Sequence, residues 1–155
     1  MTVASQTPRR GFTLIEVLIV VVVLGILAGL ALPSLQTAIW KAHAADVLGD
    51  VHVARLAYHQ YLADGGGRTR TRPWRRIPPD IESFLPDGFS FENDVAEYRW
   101  VRVSPGASPW GVESALFRVR PKPSVRRIFM TQLTSMASGP YVIPQRNQIL
   151  FYFTP

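Results

Sequence analysis

The 155-residue chain contains no cysteine, and only two of its 17 basic residues, Lys41 and Lys122, are lysine. Without thiols, neither a disulfide framework nor a thiolate metal site can form. Arginine therefore supplies nearly all of the positive charge, which against 11 acidic residues gives a formal net charge of +6. A positive excess of this kind favours association with anionic surfaces in general and does not identify a particular partner.

The sequence also lacks the arrangements that usually carry catalysis. It has no phosphate-cradling glycine loop, no zinc-ligand spacing and no serine, histidine and acid combination that stands out. We therefore expect that the chain is not an enzyme and has no cofactor and no metal. His43, Asp46 and Asp50 have a helical spacing that would gather a metal ion, but a solvated polar helix face explains the same pattern.

The longest apolar stretch covers residues 12–32 and includes one ionisable side chain, Glu16. About 20 apolar residues are enough for a helix to cross a bilayer. A carboxylate at the centre of such a helix costs about 2.5 to 3.5 kcal/mol, so it normally has a function and a partner. Arg9 and Arg10 precede the stretch and the next basic residue is Lys41, which predicts a cytoplasmic N-terminus and an external body.

Residues 11–17, with the sequence GFTLIEV, resemble the prepilin-type signal of type IV pilins and type II secretion pseudopilins. The resemblance implies that residues 1–11 are a leader and that prepilin peptidase cuts between Gly11 and Phe12. Phe12 would then be the N-methylated first residue. Glu16 and Pro33 occupy positions that the family uses in assembly, and Glu16 would pair with the free amine of Phe12 on an adjacent subunit. The alternative is a lone glutamate at the interface of an ordinary signal anchor.

The rest of the chain predicts an α+β fold. Residues 12–33 form the transmembrane or filament-core part of a long helix, and residues 34–64 form its amphipathic half, because apolar side chains recur there every three or four residues. Residues 65–155 form the globular part. They contain a proline-started helical turn at 77–86, strand-like runs at 97–103, 115–119, 141–143 and 148–153, and a short helix at 124–136. This order predicts a small antiparallel sheet packed on the long helix, which is also the pilin-like architecture that the resemblance implies.

An arginine-rich segment, residues 68–76, follows a run of three glycines. Its candidate anion-binding residues are Arg68, Arg70, Arg72, Trp74, Arg75 and Arg76. An exposed loop of this composition could hold phosphates or stack on bases, which predicts binding of DNA or another anionic polymer. The alternative is a solvated loop whose arginines pair with acidic groups nearby or on neighbouring subunits.

A turn at Pro109-Trp110-Gly111 resembles one found near the sheet of major pseudopilins. Those proteins hold calcium in an acidic loop, but here only Glu113 follows the turn, so no calcium site is expected. The absence of cysteine likewise departs from many type IV pilins, which close a C-terminal loop with a disulfide. These residues do not decide between the type IV pilins and the type II secretion pseudopilins.

Three functional hypotheses follow. The leading one is a pilin-like structural subunit of a type IV pilus or a type II secretion pseudopilus. Its partners would be prepilin peptidase, an inner-membrane assembly platform and other subunits of a homo- or hetero-filament. It would cross the inner membrane once before assembly and lie in a periplasmic or cell-surface filament afterwards. The second is a minor pilin whose residues 68–76 bind DNA, and the third is a membrane-anchored periplasmic protein that does not polymerise.

Overall fold

A computed structural model describes residues 11–154 of the chain. The predicted leader, except Gly11, therefore lies outside the described residues, as do Arg9 and Arg10. The elements in chain order are α1 (Leu14–Ala63), α2 (Pro79–Glu82), β1 (Ala96–Val103), a 3-10 turn (Pro105–Ala107), β2 (Ser114–Pro121), α3 (Arg126–Met136), β3 (Val142–Gln145) and β4 (Gln148–Phe153). The predicted strands and helices are all present, with ends that differ by a few residues.

The four strands form one antiparallel sheet in the order β1-β2-β4-β3. β1 lies beside β2 with Trp100 opposite Phe117, and β2 lies beside β4 with Phe117 opposite Phe151. β3 and β4 are joined as a hairpin, and α3 comes between β2 and β3 in the chain. The predicted α+β architecture with a small antiparallel sheet is confirmed.

One face of the sheet, called the inner face below, packs against the second half of α1. Side chains point alternately to the two faces of a strand, and the buried inner residues are Ala96, Tyr98, Trp100, Ala115, Phe117, Val119, Ile149, Phe151 and Phe153. The helix adds Ala44, Val47, Val51, Ala54 and Tyr58 to the same core, and α3 adds Phe129 and Leu133. The Tyr58 ring meets Trp100 edge to face, with 5.6 Å between ring centres. Alternating aromatic residues in the strands therefore meet a helix face on which alanines allow close approach.

The chain divides into two compact units, residues 1–38 and 39–155. In the described part of the first unit, α1 exposes its large apolar side chains from Leu14 to Leu35. By length and composition, α1 is the one helix in the described chain that could cross a membrane.

Burial along α1 begins later than its apolar pattern suggests. The periodicity places Leu35 and Ile39 on the apolar face of the amphipathic half, yet these side chains are 57% and 48% exposed. Trp40 is the first residue of α1 that packs partly buried against the core, and fully buried positions start at Ala44. The large apolar side chains of α1 before residue 40 are exposed in the described part of the chain.

Candidate assembly site

The start of α1 is closed by a reciprocal pair of hydrogen bonds between Thr13 and Glu16. The backbone N–H and the hydroxyl of Thr13 each donate to Oε2 of Glu16 at 2.8 Å, and the Glu16 N–H donates to Oγ1 of Thr13 at 3.3 Å. This is a capping box, in which the residue before the helix and the third helical residue satisfy each other's free backbone donors. The spacing of threonine and glutamate signals this cap in the sequence, although the prediction above considered only an intermolecular partner for Glu16.

The cap uses only one oxygen of the Glu16 carboxylate. Both hydrogen bonds from Thr13 end on Oε2, and within residues 11–154 Oε1 accepts none. Around it the surface is apolar, since Phe12 is 82% and Leu14 is 86% exposed. The structure thus presents a fixed carboxylate with one free oxygen among exposed apolar side chains, close to Gly11 and Phe12. An incoming cation would find this acceptor already oriented.

Pro33 lies inside α1 without ending it. Proline has no N–H, so the helix loses one backbone hydrogen bond at this point. Two neighbouring hydroxyls bond back to the helix: Ser34 donates to the carbonyl of Ala31 at 2.8 Å, and Thr37 donates to the carbonyl of Pro33 at 3.1 Å. The roles in processing and assembly predicted for Gly11, Phe12, Glu16 and Pro33 stay predictions.

The arginine-rich segment is anchored along the free edge of β1. The N–H of Arg72 donates to the carbonyl of Trp100 at 3.0 Å, and the N–H of Arg75 donates to the carbonyl of Tyr98 at 2.9 Å. Two threonines add side-chain bonds: Thr69 accepts from the indole N–H of Trp100, and Thr71 accepts from the backbone N–H of Arg102. These bonds hold the segment on the sheet, which the composition of an exposed loop did not predict.

Several candidate anion-binding residues already have partners within the chain. Arg68 pairs with Glu113 at 3.0 Å, and Arg75 pairs with Glu92 at 3.6 Å. The ring of Trp74 lies under the guanidinium of Arg120, 4.0 Å from its Cζ, so one of its faces is covered. The backbone N–H of Arg70 is held by Asp80, while its side chain is exposed like that of Arg76. The segment therefore offers fewer free cations than its five arginines suggest.

Glu113 fixes the connection between β1 and β2 through two arginines. Oε1 of Glu113 accepts from Nε of Arg102 at 2.7 Å, and Oε2 accepts from Nε of Arg68 at 3.0 Å. The hydrogen bond from Arg102 and the charges of both arginines keep the pKa of this carboxyl below its usual range. Within the described residues, no group of three metal-ligating side chains comes together here or elsewhere.

Asp50 joins α1 to the sheet. The Tyr98 hydroxyl donates to Oδ2 of Asp50 at 2.5 Å, and Nδ2 of Asn93 donates to the same oxygen at 3.1 Å. Burial and the Asp50 carboxylate raise the pKa of Tyr98 far above its usual range. The spacing of His43, Asp46 and Asp50 was attributed to a solvated polar helix face, but Asp50 is half-buried and accepts from Tyr98 and Asn93.

Comparison with known proteins supports the resemblance found in residues 11–17. The family model described as the prokaryotic N-terminal methylation motif matches residues 7–32. The type II secretion system core protein G of Klebsiella michiganensis is 31% identical in an alignment 88 residues long that covers 52% of this chain and 62% of that protein. The core protein G of Dickeya chrysanthemi is 29% identical over 117 residues, covering 70% of this chain and 67% of that protein.

Type IV fimbrial proteins match over a shorter stretch. Fimbrial protein Q of Moraxella bovis is 40% identical over 57 residues, which are 37% of this chain and 36% of that protein. The chain thus covers less than two thirds of the Klebsiella and Moraxella proteins. No solved structure shows a significant match. The chain matches the prokaryotic N-terminal methylation motif and, over the parts that align, is similar to type II secretion system core G proteins and to type IV fimbrial proteins.

Proposed function

We propose that this chain is a pilin-like structural subunit of a type II secretion pseudopilus or a type IV pilus. Prepilin peptidase would cut after Gly11, and the subunit would assemble through the first half of α1. The observation that carries the proposal is the capped carboxylate of Glu16 inside the methylation motif, with a free oxygen among exposed apolar side chains. A relation to filament-forming proteins and a long unburied helix support it.

The proposed assembly step is a charge pair between subunits. Cleavage after Gly11 gives Phe12 a free amine, and the apolar surfaces of α1 helices bury one another when subunits bundle. A buried carboxylate and a buried ammonium are each costly alone and stabilise each other when they meet with good geometry. The free Oε1 of Glu16 would accept from the Phe12 amine of a neighbour. A subunit at the wrong axial height would leave both charges unpaired, so the pair sets the register.

Localisation follows from the same segment. The apolar half of α1 would anchor the precursor in the inner membrane, with Arg9 and Arg10 on the cytoplasmic side under the positive-inside rule. The globular part would lie in the periplasm until the subunit enters a filament. Partners would be the peptidase, an assembly platform and neighbouring subunits.

The comparisons favour the secretion branch within this proposal. The alignments with the two core G proteins cover 88 and 117 residues, more than the residues from the N-terminus to the end of α1, so they include residues that follow α1. The fimbrial alignment covers 57 residues. Both branches share the N-terminal motif, so sequence similarity outside that motif is what distinguishes the secretion pseudopilins from the type IV pilins. DNA capture by the arginine-rich segment stays a prediction.

The charge of Glu16 can be tested separately from its capping role. Glutamine can still cap Thr13 but cannot neutralise an ammonium, so Glu16→Gln keeps the capping box and removes the proposed pair. Both Glu16→Gln and Glu16→Val should be cleaved and methylated normally, and both should be depleted from sheared filaments. The measurement is the ratio of variant to wild-type subunit in filaments when the two are co-expressed. Wild-type incorporation of Glu16→Gln would show that Glu16 serves only the cap.

Processing has its own direct test. Mass spectrometry of the mature N-terminus should find a methylated Phe12. An N-terminus at a later residue, or an uncleaved chain, would instead support the third hypothesis, a membrane-anchored periplasmic protein that does not polymerise.

A further inference from the structure

The face of the sheet turned away from α1, called the outer face below, carries an unusual cross-strand sequence. Between β1 and β2 the directly opposite outer residues are Glu97 with Arg120, then Arg99 with Arg118, then Val101 with Leu116. The first pair is an ion pair of 2.6 Å. The third belongs to a small apolar cluster on this face. Between them, two arginines face each other.

Opposed like charges destabilise a sheet, since directly opposite side chains have Cβ atoms about 4.5 to 5.5 Å apart. Neither Arg99 nor Arg118 takes part in an ion pair with the rest of residues 11–154. Arg99 uses its Nε to donate to the carbonyl of Arg72 at 3.1 Å. Nε of Arg118 is buried and has no acceptor within the described part of the chain. Burial and the facing Arg99 also lower the pKa of Arg118.

Nε of Arg72, whose carbonyl accepts from Arg99, is also buried without an acceptor among the described residues, so the unsatisfied nitrogens gather around the facing pair. Arg120, two residues further along β2, is paired with the carboxylate of Glu97 and lies over the ring of Trp74. A buried guanidinium nitrogen without an acceptor is costly, and an anion from outside the chain would remove that cost by accepting from it and by offsetting the charge of the facing arginine. Because α1 covers the other face of the sheet, the half-buried pair stays accessible from solvent.

We propose that Arg99 and Arg118 form a binding site for a phosphate group on the outer face of the sheet. Guanidinium groups offer planar sets of N–H donors that match the oxygens of phosphate. A phosphate can carry two negative charges and accept hydrogen bonds from both guanidinium groups at once. A carboxylate has one negative charge, and its two oxygens are used by the N–H donors of a single guanidinium group. The phosphate could be free, part of a nucleic acid backbone or part of a lipid headgroup. The site borders the arginine-rich segment, because Arg99 donates to the carbonyl of Arg72, and it does not depend on assembly.

The test uses the full chain in micelles of an uncharged detergent. Isothermal titration with inorganic phosphate at neutral pH and constant ionic strength should give saturable binding. Arg99→Gln and Arg118→Gln should each weaken it about tenfold or more, because each removes charge-assisted hydrogen bonds. The matched control is Arg146→Gln, in the exposed turn between β3 and β4, which should bind phosphate like the wild type. Absence of phosphate binding, or equal affinity in the wild type and both variants, would overturn the proposal.

Two further measurements complete the test. Competition with a thymidine oligonucleotide and with glycerol 3-phosphate separates a nucleic acid source from a lipid headgroup, since the better competitor resembles the natural ligand. Thermal unfolding in phosphate-free buffer of low ionic strength tests whether the facing arginines destabilise the fold when no anion is bound. Removing one of two facing cations should leave the melting temperature of Arg118→Gln unchanged or higher than that of the wild type, because Nε of Arg118 has no acceptor within the described residues. A clear fall would show that Arg118 already has a stabilising partner within the chain and would refute the argument.

Discussion

Tyr98→Phe should remove the main polar connection between α1 and the sheet. The Tyr98 side chain is fully buried, and its hydroxyl donates to Asp50 and accepts from Asn93. Phenylalanine preserves the ring and its contacts with Phe117, so the change is confined to the hydroxyl. Asp50 keeps one donor, Asn93, and loses the other.

Hydrogen bonds to charged groups are worth about 1.5 to 3 kcal/mol, and Asp50 is only half-buried, so water can replace part of the loss. We therefore expect Tyr98→Phe to lower the free energy of unfolding at neutral pH by about 2 kcal/mol. Chemical denaturation of the full chain in micelles, followed by far-ultraviolet circular dichroism, measures this change. Tyr141→Phe is the matched control because its side chain is 39% exposed.

The same substitution should change how stability depends on alkaline pH. The folded state raises the pKa of Tyr98, whereas an unfolded tyrosine titrates at about 10. The stabilisation is therefore fully present below pH of about 10 and falls as pH rises, by about 1.4 kcal/mol per pH unit for one group. Tyr98→Phe should reduce this slope without abolishing it, because burial also raises the pKa of Tyr58. Two results would refute the reasoning. One is an unchanged dependence of unfolding free energy on alkaline pH, and the other is a loss of unfolding free energy at neutral pH no larger than that of Tyr141→Phe.

Three other predictions concern the core, the β1–β2 connection and the helix cap. Phe117→Ala should cost about 3 to 5 kcal/mol of unfolding free energy, whereas Leu56→Ala, at a 52% exposed position, should cost far less in the same denaturation assay. The lowered pKa of Glu113 stabilises the folded state above the ordinary carboxyl pKa, and this stabilisation is lost as the pH falls below it. Glu113→Gln should therefore lose less unfolding free energy than the wild type as the pH falls through that range. Identical dependence of unfolding free energy on acidic pH in the variant and the wild type would contradict this. Thr13→Val should lower the helix content in micelles while Thr13→Ser preserves it, since only serine can keep the hydroxyl cap.

Local patterns predicted the elements of the fold well. Alternation of apolar and polar residues predicted β1 to within one residue, because one face of that strand is buried in the core. The continuous apolar run of β4, which is buried on both faces, predicted the ends of that strand. Gly65-Gly66-Gly67 predicted the end of α1, since glycine is the commonest residue just after a helix. The methylation motif was also visible, because its residues are contiguous in the chain.

Contacts between distant residues could not be predicted in this way. The bonds of Arg72 and Arg75 to β1 depend on the strand register, and the Asp50–Tyr98 contact joins residues 48 positions apart. The exposure of Leu35 and Ile39 likewise depends on how far the sheet extends along α1 and not on periodicity. The facing arginines Arg99 and Arg118 become recognisable only once the pairing of β1 with β2 is known.

The anchored arginine-rich segment has a consequence for how copies of this chain can meet. An unpaired strand edge is a template for adding strands from other molecules, and crowded identical subunits increase that risk. Here the outer edge of β1 already receives backbone donors from Arg72 and Arg75. At the opposite edge, β3 is only four residues long and includes Pro144, which has no N–H to donate. With both edges blunted, pairing between the strand edges of different copies is disfavoured.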